Sequence, residues 1–526
     1  MSSLWMEDTK YLNDESLIDE DYSADVCIIG GGITGLSTAY YLAKNGLRVI
    51  VIEKNKLAEK TSGNTTAKIT SCHGLIYDYL IKSFGEKFAL GYLESNQKAI
   101  ENIKKIIDEE EIECDFEYQP NIIYATSKED RNKLENEINA LNVLCNFYND
   151  LNKENILKTK FIEKTDLPFD IEGAIRVENQ AQFHPRKYME GLVKSIKKYN
   201  GIIFTNTVVK NVEKEDDYYQ VYANENIIKS KYVVVASHYP IINFPGFYFT
   251  KMYQVTSYAM AIETEKKLPN GMFINAGEPV LSFRNVNHDG KKLLIVSGGN
   301  HKTGYSPESK EFFGYSYLEN EVKKYYPDYK IKFKWNTRDC VTLDKVPYIG
   351  EFSDLMKNCF VATGFNKWGM TTSNVAANII TDKILEKENK YLSIYDSTRL
   401  KPIKNRQELG NMVKQTIKSL ITNKIKIPEE KISKIKKDNG GIIKIDGATV
   451  GIYRDKNGKI YAVNPVCSHL GCLLTWNNID KTWDCPCHGS RFNYDGKNLY
   501  EPAIKGLEKI GKNIDLFEKY DIILKD

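Results

Sequence analysis

The apolar positions of this chain fall into short runs separated by glycine turns and helical repeats. Asp25-Val-Cys-Ile-Ile29 is a short apolar strand, Gly30 to Gly35 a glycine turn, and Leu36 to Asn45 a helix with alanine and leucine on its inner face. Leu47 to Ile52 is the next strand, which completes a β-α-β unit. Residues 79–110 place apolar side chains at three- and four-residue intervals among charges, the pattern of amphipathic helix in an α-rich insertion. Strand patterns follow at Val208 to Val221, Tyr232 to Ala236, Gln254 to Ile262 and Lys292 to Ser297. Cys359 to Thr363 is another buried strand, running through Gly364 and Gly369 into a helix from about Thr371 to Glu386. Beyond Gly441 the texture changes to short strands and Gly/Asn/Asp turns, that of a small all-β domain.

At 526 residues the chain has room for about three to four folding units. Its 73 basic and 70 acidic residues leave a net charge of +3, so the chain as a whole offers no electrostatic argument for nucleic acid or an anionic membrane. Residues 1–23 form an acidic leader rather than a signal peptide, and no apolar run is long enough to span a bilayer; the expectation is a cytoplasmic protein without a transmembrane segment. Between residues 401 and 440 eleven Lys/Arg face four acids, in a lysine-rich connector with one expected helix around Met412 to Ile421. Such a run is either a solvated linker or a dock for an acidic redox partner. Of ten cysteines, Cys467, Cys472, Cys485 and Cys487 fall within 21 residues.

Gly30-x-Gly32-x-x-Gly35 lies between a strand and a helix, and Glu53 closes the second strand 23 residues after Gly30. In that context the glycines permit close backbone approach to a pyrophosphate, and the helix N-terminus, opening near Thr34, favours the anion. Glu53, with Lys54 beside it, is placed to accept hydrogen bonds from an adenosine ribose. Thr61-Ser-Gly-Asn64-Thr65-Thr66-Ala-Lys68 is rich in small hydroxyl residues suited to lining a diphosphate and a flavin edge, which favours FAD over NAD. A second glycine turn, Ala362 to Ser373, would face a flavin's pyrimidine end with backbone N–H groups of Gly364, Lys367, Gly369, Met370 and Thr371.

Together with Tyr232 to Ala236 and Arg338 to Gly350, these motifs resemble the FAD-dependent amine and amino-acid oxidoreductases of the D-amino-acid oxidase and sarcosine oxidase type. The resemblance covers roughly residues 24–390. It implies a Rossmann-like α/β FAD-binding domain (about 24–78, 175–245 and 335–390) and an α+β substrate domain (about 79–174 and 246–334), the segment 80–174 roofing the flavin. It also implies adenine contacts near Val208 and Val209, and a sheet over the isoalloxazine including Tyr258 and Arg284. Relatives hold a substrate carboxylate with an arginine, which makes Arg284 and Arg338 candidates; a structural ion pair is the alternative for each. Lys367 at the flavin-facing turn is a candidate for stabilising reduced flavin. Cys72-His73 raises covalent flavin attachment as one reading and a satisfied buried histidine as the better one.

Cys467-x-His469 and Cys485-x-x-His488 supply two thiolates and two imidazoles on two loops, a set that suits either a [2Fe-2S] centre with Cys₂ and His₂ irons or tetrahedral zinc. The third cysteine and tight turn in each loop, Cys467-Ser-His-Leu-Gly-Cys472 and Cys485-Pro-Cys-His-Gly-Ser490, resemble the Rieske signature of the cytochrome bc complex subtype. By that resemblance, over residues 441–526, Cys467 and Cys485 ligate one iron, His469 and His488 the other, and Cys472 pairs with Cys487 in a disulfide. Phe492 stands where high-potential relatives carry a tyrosine that donates to a ligand sulfur, so a lower potential is expected. The linker is then 391–440. The combination implies a dehydrogenase that oxidises an amine or amino-acid-like substrate and drains its FAD through the cluster to an external acceptor, a small redox protein or a quinone. An electron-transfer or redox-sensing protein without an organic substrate is the alternative.

Overall fold

A computed structural model describes residues 3–9, 18–304, 314–399, 432–445 and 447–510. The basic connector and its expected helix lie, over 400–431, outside the described residues.

Two large sheets organise the first 399 residues. In the first, the central strand Tyr22–Ile29 runs parallel to Asn226–Val235 on one side and Val49–Ile52 on the other, with Ile202–Phe204 beyond. Cys359–Thr363 extends the sheet past Asn226–Val235 and is followed by Tyr348–Glu351. Strands buried on both faces need continuous apolar sequence, which Val49–Ile52 and Cys359–Thr363 supply. The helices Ile33–Lys44, Pro185–Lys198 and Gly369–Ile384 pack together against this sheet. The strand pattern at Val208 to Val221 forms two antiparallel strands, Val209–Glu215 and Tyr218–Ala223.

The second sheet has nine strands. Lys330–Thr342 pairs along its length with Met252–Glu263, which pairs with Lys291–Lys302, followed by Leu281–His288, Met272–Asn275, Glu117–Ala125 and Gly173–Gln182. The predicted amphipathic stretch forms two helices, Tyr77–Phe84 and Glu86–Glu109, because Gly85 at φ +92° interrupts it. With Lys128–Asn152 they cover one side of the molecule.

Residues 3–9, within the acidic leader, are packed rather than free. Leu4–Asp8 is one helical turn with Leu4 and Trp5 buried, Ser3 Oγ donating to Gly63 O and Trp5 Nε1 to Thr65 O at 2.7 Å.

The C-terminal region is all-β. Asn439–Ile445, Ala448–Arg454 and Ile460–Val463 form one antiparallel sheet, and Thr475–Asn477, Thr482–Asp484, Arg491–Asn493 and Asn498–Tyr500 another. The loops between these sheets and within the second carry the clustered cysteines.

Candidate cofactor and cluster sites

A long cavity opens where the central strand of the first sheet gives way to its helix. Gly30, Gly32, Thr34, Glu53, Lys54, Asn64, Thr65, Thr66, Val209, Lys367, Gly369 and Met370 all line it. Gly30 has φ +117°, and a Cβ there would lie 2.5 Å from Ala236 O; Gly35 touches the backbone of Gly30 and seats the helix on the strand without reaching the cavity. Glu53 accepts from Gly31 N and Asn55 N, both at 2.8 Å, one on each carboxylate oxygen. Burial pushes its carboxyl up and those two donors oppose the shift. The cavity wall is thus an anion-tolerant glycine turn beside a fixed carboxylate, a set that fits the pyrophosphate and ribose of a dinucleotide.

At the far end, Lys367 (φ +75°) and Trp368 lead into the helix Gly369–Ile384, whose unpaired N–H groups open on the cavity. Gly364 and Thr371 are one step removed: Gly364 turns the chain against Thr342, and Thr371 Oγ1 donates to Thr70 O at 3.1 Å. Asp339, which the sequence did not single out, also lines the cavity; burial raises its carboxyl to about 6, and the Lys367 ammonium pulls the other way. Lys68 lines it too, its Nζ donating to Ser282 Oγ and Phe273 O, and burial brings its ammonium down to about 7.

The two arginine candidates do not reach this cavity. Arg284 Nη1 donates to Thr66 O at 2.8 Å and Ala67 O at 2.9 Å, so its guanidinium holds the hydroxyl-rich segment in place. Arg338 is not among the lining residues although Thr337, Asp339 and Cys340 are; its guanidinium stacks 4.3 Å from the Tyr500 ring centroid, with Nη2 3.7 Å from Asp480 Oδ2. The cations that line the neighbouring cavity, of about 690 Å³, are Lys302, Lys345 and Lys367, with Glu278, Asn300 and Tyr253. Lys367, Trp368 and Asn300 are shared, so the two cavities adjoin. His73 is satisfied by Tyr92 Oη at 2.7 Å and Thr70 O at 2.9 Å, and burial lowers it to about 3.

The cluster loops bring together all four ligand candidates. Cys467 N donates to Cys472 O and Cys485 N to Ser490 O, both at 2.8 Å, so each loop closes on its own backbone. His469 and His488 present perpendicular rings 5.1 Å apart, and each has a buried Nδ1 with no hydrogen-bond partner. Burial lowers them to about 4 and about 3, which keeps both imidazoles neutral. The Cys485 thiol, and against burial the N–H groups of His469 and Leu470 and the Ser490 hydroxyl, hold the Cys467 thiol down at about 7. Two adjacent thiols and two orphaned imidazole nitrogens are the donor set an iron-sulfur centre of mixed ligation requires. Cys472 and Cys487 form a disulfide beside it, as the resemblance implies. Phe492 is fully buried opposite Trp483.

The cluster loops are seated on the first domain. His469 Nε2 is 2.7 Å from Asn243 Oδ1, and the Phe249 ring lies edge-on to both histidines. Gly304 (φ +80°) abuts Pro486, and a Cβ on Gly489 (φ +85°) would lie 2.6 Å from Gln254 Cβ. Asn336 Nδ2 donates to Asp480 Oδ1 at 2.8 Å, and Thr475 Oγ1 to Gly304 O at 2.9 Å. Burial, and then the thiols of Cys340 and Cys485, push the Tyr239 phenol far up. Tyr239 thus neighbours both Cys340, which lines the long cavity, and Cys485, one of the ligand candidates.

A glycine-turn cavity for FAD beside a two-cysteine, two-histidine cluster cradle defines a flavin and iron-sulfur oxidoreductase. The family model for FAD dependent oxidoreductases matches residues 25–383, and that for the Rieske [2Fe-2S] domain matches 426–511. The chain belongs to the FAD-dependent oxidoreductase family, carries a Rieske domain at its C-terminal side, and has FAD and a [2Fe-2S] cluster as its cofactors. It is 37% identical over 493 residues to the putative Rieske 2Fe-2S iron-sulfur protein YhfW of Bacillus subtilis (strain 168), covering 94% of each chain. Its fold is similar to that of L-proline dehydrogenase from P. horikoshii (TM-score 0.59, 19% identity, 74% of this chain and 99% of that one). Glycine oxidase from Geobacillus kaustophilus is also similar (TM-score 0.57, 17% identity, 72% and 99%).

Proposed function

We propose that the protein is a cytoplasmic dehydrogenase that oxidises an amine or amino-acid-like substrate and passes the electrons through its Rieske cluster to an external acceptor, a small redox protein or a quinone. The observation that carries this reading is the seating of the cluster loops on the segment Ser237–Phe249. That segment lines the long cavity at Ser237, His238 and Ile241, with Tyr239 among them, and reaches the candidate cluster histidines at Asn243 and Phe249.

Flavin accepts two electrons as a hydride equivalent and a [2Fe-2S] cluster passes them singly. The chain's own residues prepare the rest. The N-terminus of Gly369–Ile384 and the Lys367 ammonium put positive potential at the end of the cavity where negative charge accumulates on reduction. In the adjoining cavity, Lys302 and Lys345 suit a carboxylate and Glu278 an ammonium, the two groups of an amino acid. This cavity, of a size that takes small organic ligands, favours an enzyme over a carrier without a substrate. The six scattered cysteines, all unpaired, accord with the cytoplasmic location.

The test is anaerobic stopped-flow with a panel of amines and amino acids. Flavin bleaching should come first and cluster reduction second, while Cys485→Ser should reduce its flavin and stall. Rapid reoxidation of the flavin by O₂ with a cluster that stays oxidised would sink the proposed route.

A further inference from the structure

We infer that the Rieske domain is itself part of the FAD site: its segment Tyr500–Ile504 is a wall of the cofactor cavity, so that FAD enters or leaves only when the two domains part. Tyr500, Glu501 and Ile504 line the same cavity as Gly30, Glu53 and Lys54. This wall is held by the first domain from several sides. Lys54, the residue after the ribose-facing Glu53, reaches across with its ammonium to Asn498 Oδ1 at 2.5 Å and Glu501 Oε1 at 3.4 Å. Gln254 Nε2 donates to the Glu501 carbonyl at 3.1 Å. The Tyr500 ring receives the Lys60 ammonium 5.0 Å from its centroid and the Arg338 guanidinium 4.3 Å from it.

Glu501 is near enough to Glu53 to push its carboxyl further up, so one end of the cavity carries a carboxylate from each domain. Each is a hydrogen-bond acceptor, and a polyhydroxyl ligand is the chemistry that such a pair takes. A binding site built from two domains couples ligand and docking. Whatever the docked domain contributes to FAD affinity, bound FAD returns to the docking equilibrium by the same factor.

The contacts that dock the domains away from the cavity provide the decisive control. Asn336 with Asp480, and Thr475 with Gly304, hold the interface but line no part of the cavity.

The experiment uses the full-length holoprotein, with FAD release followed by the rise of flavin fluorescence on dilution and the cluster followed by iron content and visible spectrum. Two variants are compared with the native chain: Tyr500→Ala, in the wall, and Asn336→Leu/Thr475→Val, outside it. Each is expected to release FAD at least about tenfold faster, the equivalent of one hydrogen-bond-sized loss of docking energy, with its cluster intact. Should Tyr500→Ala fail to fold, the second variant still decides. The reciprocal measurement adds FAD back to flavin-stripped native protein and reads hydrogen exchange over residues 498–504, which should slow. Native release rates from a variant with an intact cluster, or exchange indifferent to FAD, would overturn the inference.

Discussion

His469 and Asn243, 226 residues apart in the chain, are joined Nε2 to Oδ1 at 2.7 Å. Were His469 to hold iron through its orphaned Nδ1, its Nε2–H would donate to the asparagine carbonyl and make the ring a stronger electron donor. That favours the oxidised cluster, so Asn243→Leu should raise the potential. One neutral hydrogen bond of about 1 kcal/mol corresponds to about 40 mV for a one-electron couple. A redox titration monitored by EPR checks it, and an unchanged potential would assign Asn243 to docking alone.

Ser490 and Phe492 should act in opposite directions. The Ser490 hydroxyl bonds to Cys467 and its Oγ accepts from Ala503 N at 3.0 Å. Ser490→Ala removes a donor to sulfur and should lower the potential, while leaving a buried N–H unpaired at a cost of about 1–3 kcal/mol. Phe492→Tyr, adding a donor, should raise it. Movement of both potentials in the same direction would refute the account.

Replacing Cys472 and Cys487 together by Ala should leave an assembled but more labile cluster, because neither sulfur is needed as a ligand. His488→Ala should abolish the native Rieske spectrum. Iron content and absorption during incubation at raised temperature separate the two outcomes; equal failure to assemble would show that the roles are confused.

Asp339 titrates at about 6, raised by burial and restrained by Lys367. Removing the cation in Lys367→Met lifts the restraint, so the carboxyl must rise further. Since Asp339 lines the FAD cavity, a pH titration of the flavin absorption band should show an inflection near 6 in the native protein, displaced to higher pH in the variant. Displacement to lower pH, or none, would contradict the pairing.

The cofactor chemistry was legible in the sequence wherever a few neighbouring residues fix both backbone and side chain. Gly30, Gly32, Gly35 and Glu53 belong to one strand-turn-helix-strand unit that spacing marks, while the two tight cluster loops, open to iron-sulfur or zinc on spacing, were assigned through their resemblance to the Rieske signature. Where the long side chains of Arg284 and Arg338 end was not legible, because it depends on distant partners, the carbonyls of Thr66 and Ala67 for the first and Tyr500 and Asp480 for the second. Asn243, Tyr239 and the wall at Tyr500 were invisible for a related reason: each acquires its role from a partner more than 100 residues away, and no local pattern marks it. Lys68 stood inside a motif already noted, but only burial distinguishes it from a surface lysine.

Gly304 and Gly489 meet the opposite domain backbone-close, one against Pro486 and the other against Gln254. Neither position tolerates even a methyl group without pushing the domains apart, and both have positive φ. Gly489 already belongs to the cluster-loop signature, so Gly304 is the informative position, and a glycine there is a readable mark of a docked flavin and cluster. Among other chains that join the same two modules, its presence would pick out those that share this geometry. A bulky residue in place of Gly304 would indicate a cluster that swings free and meets its donor by diffusion.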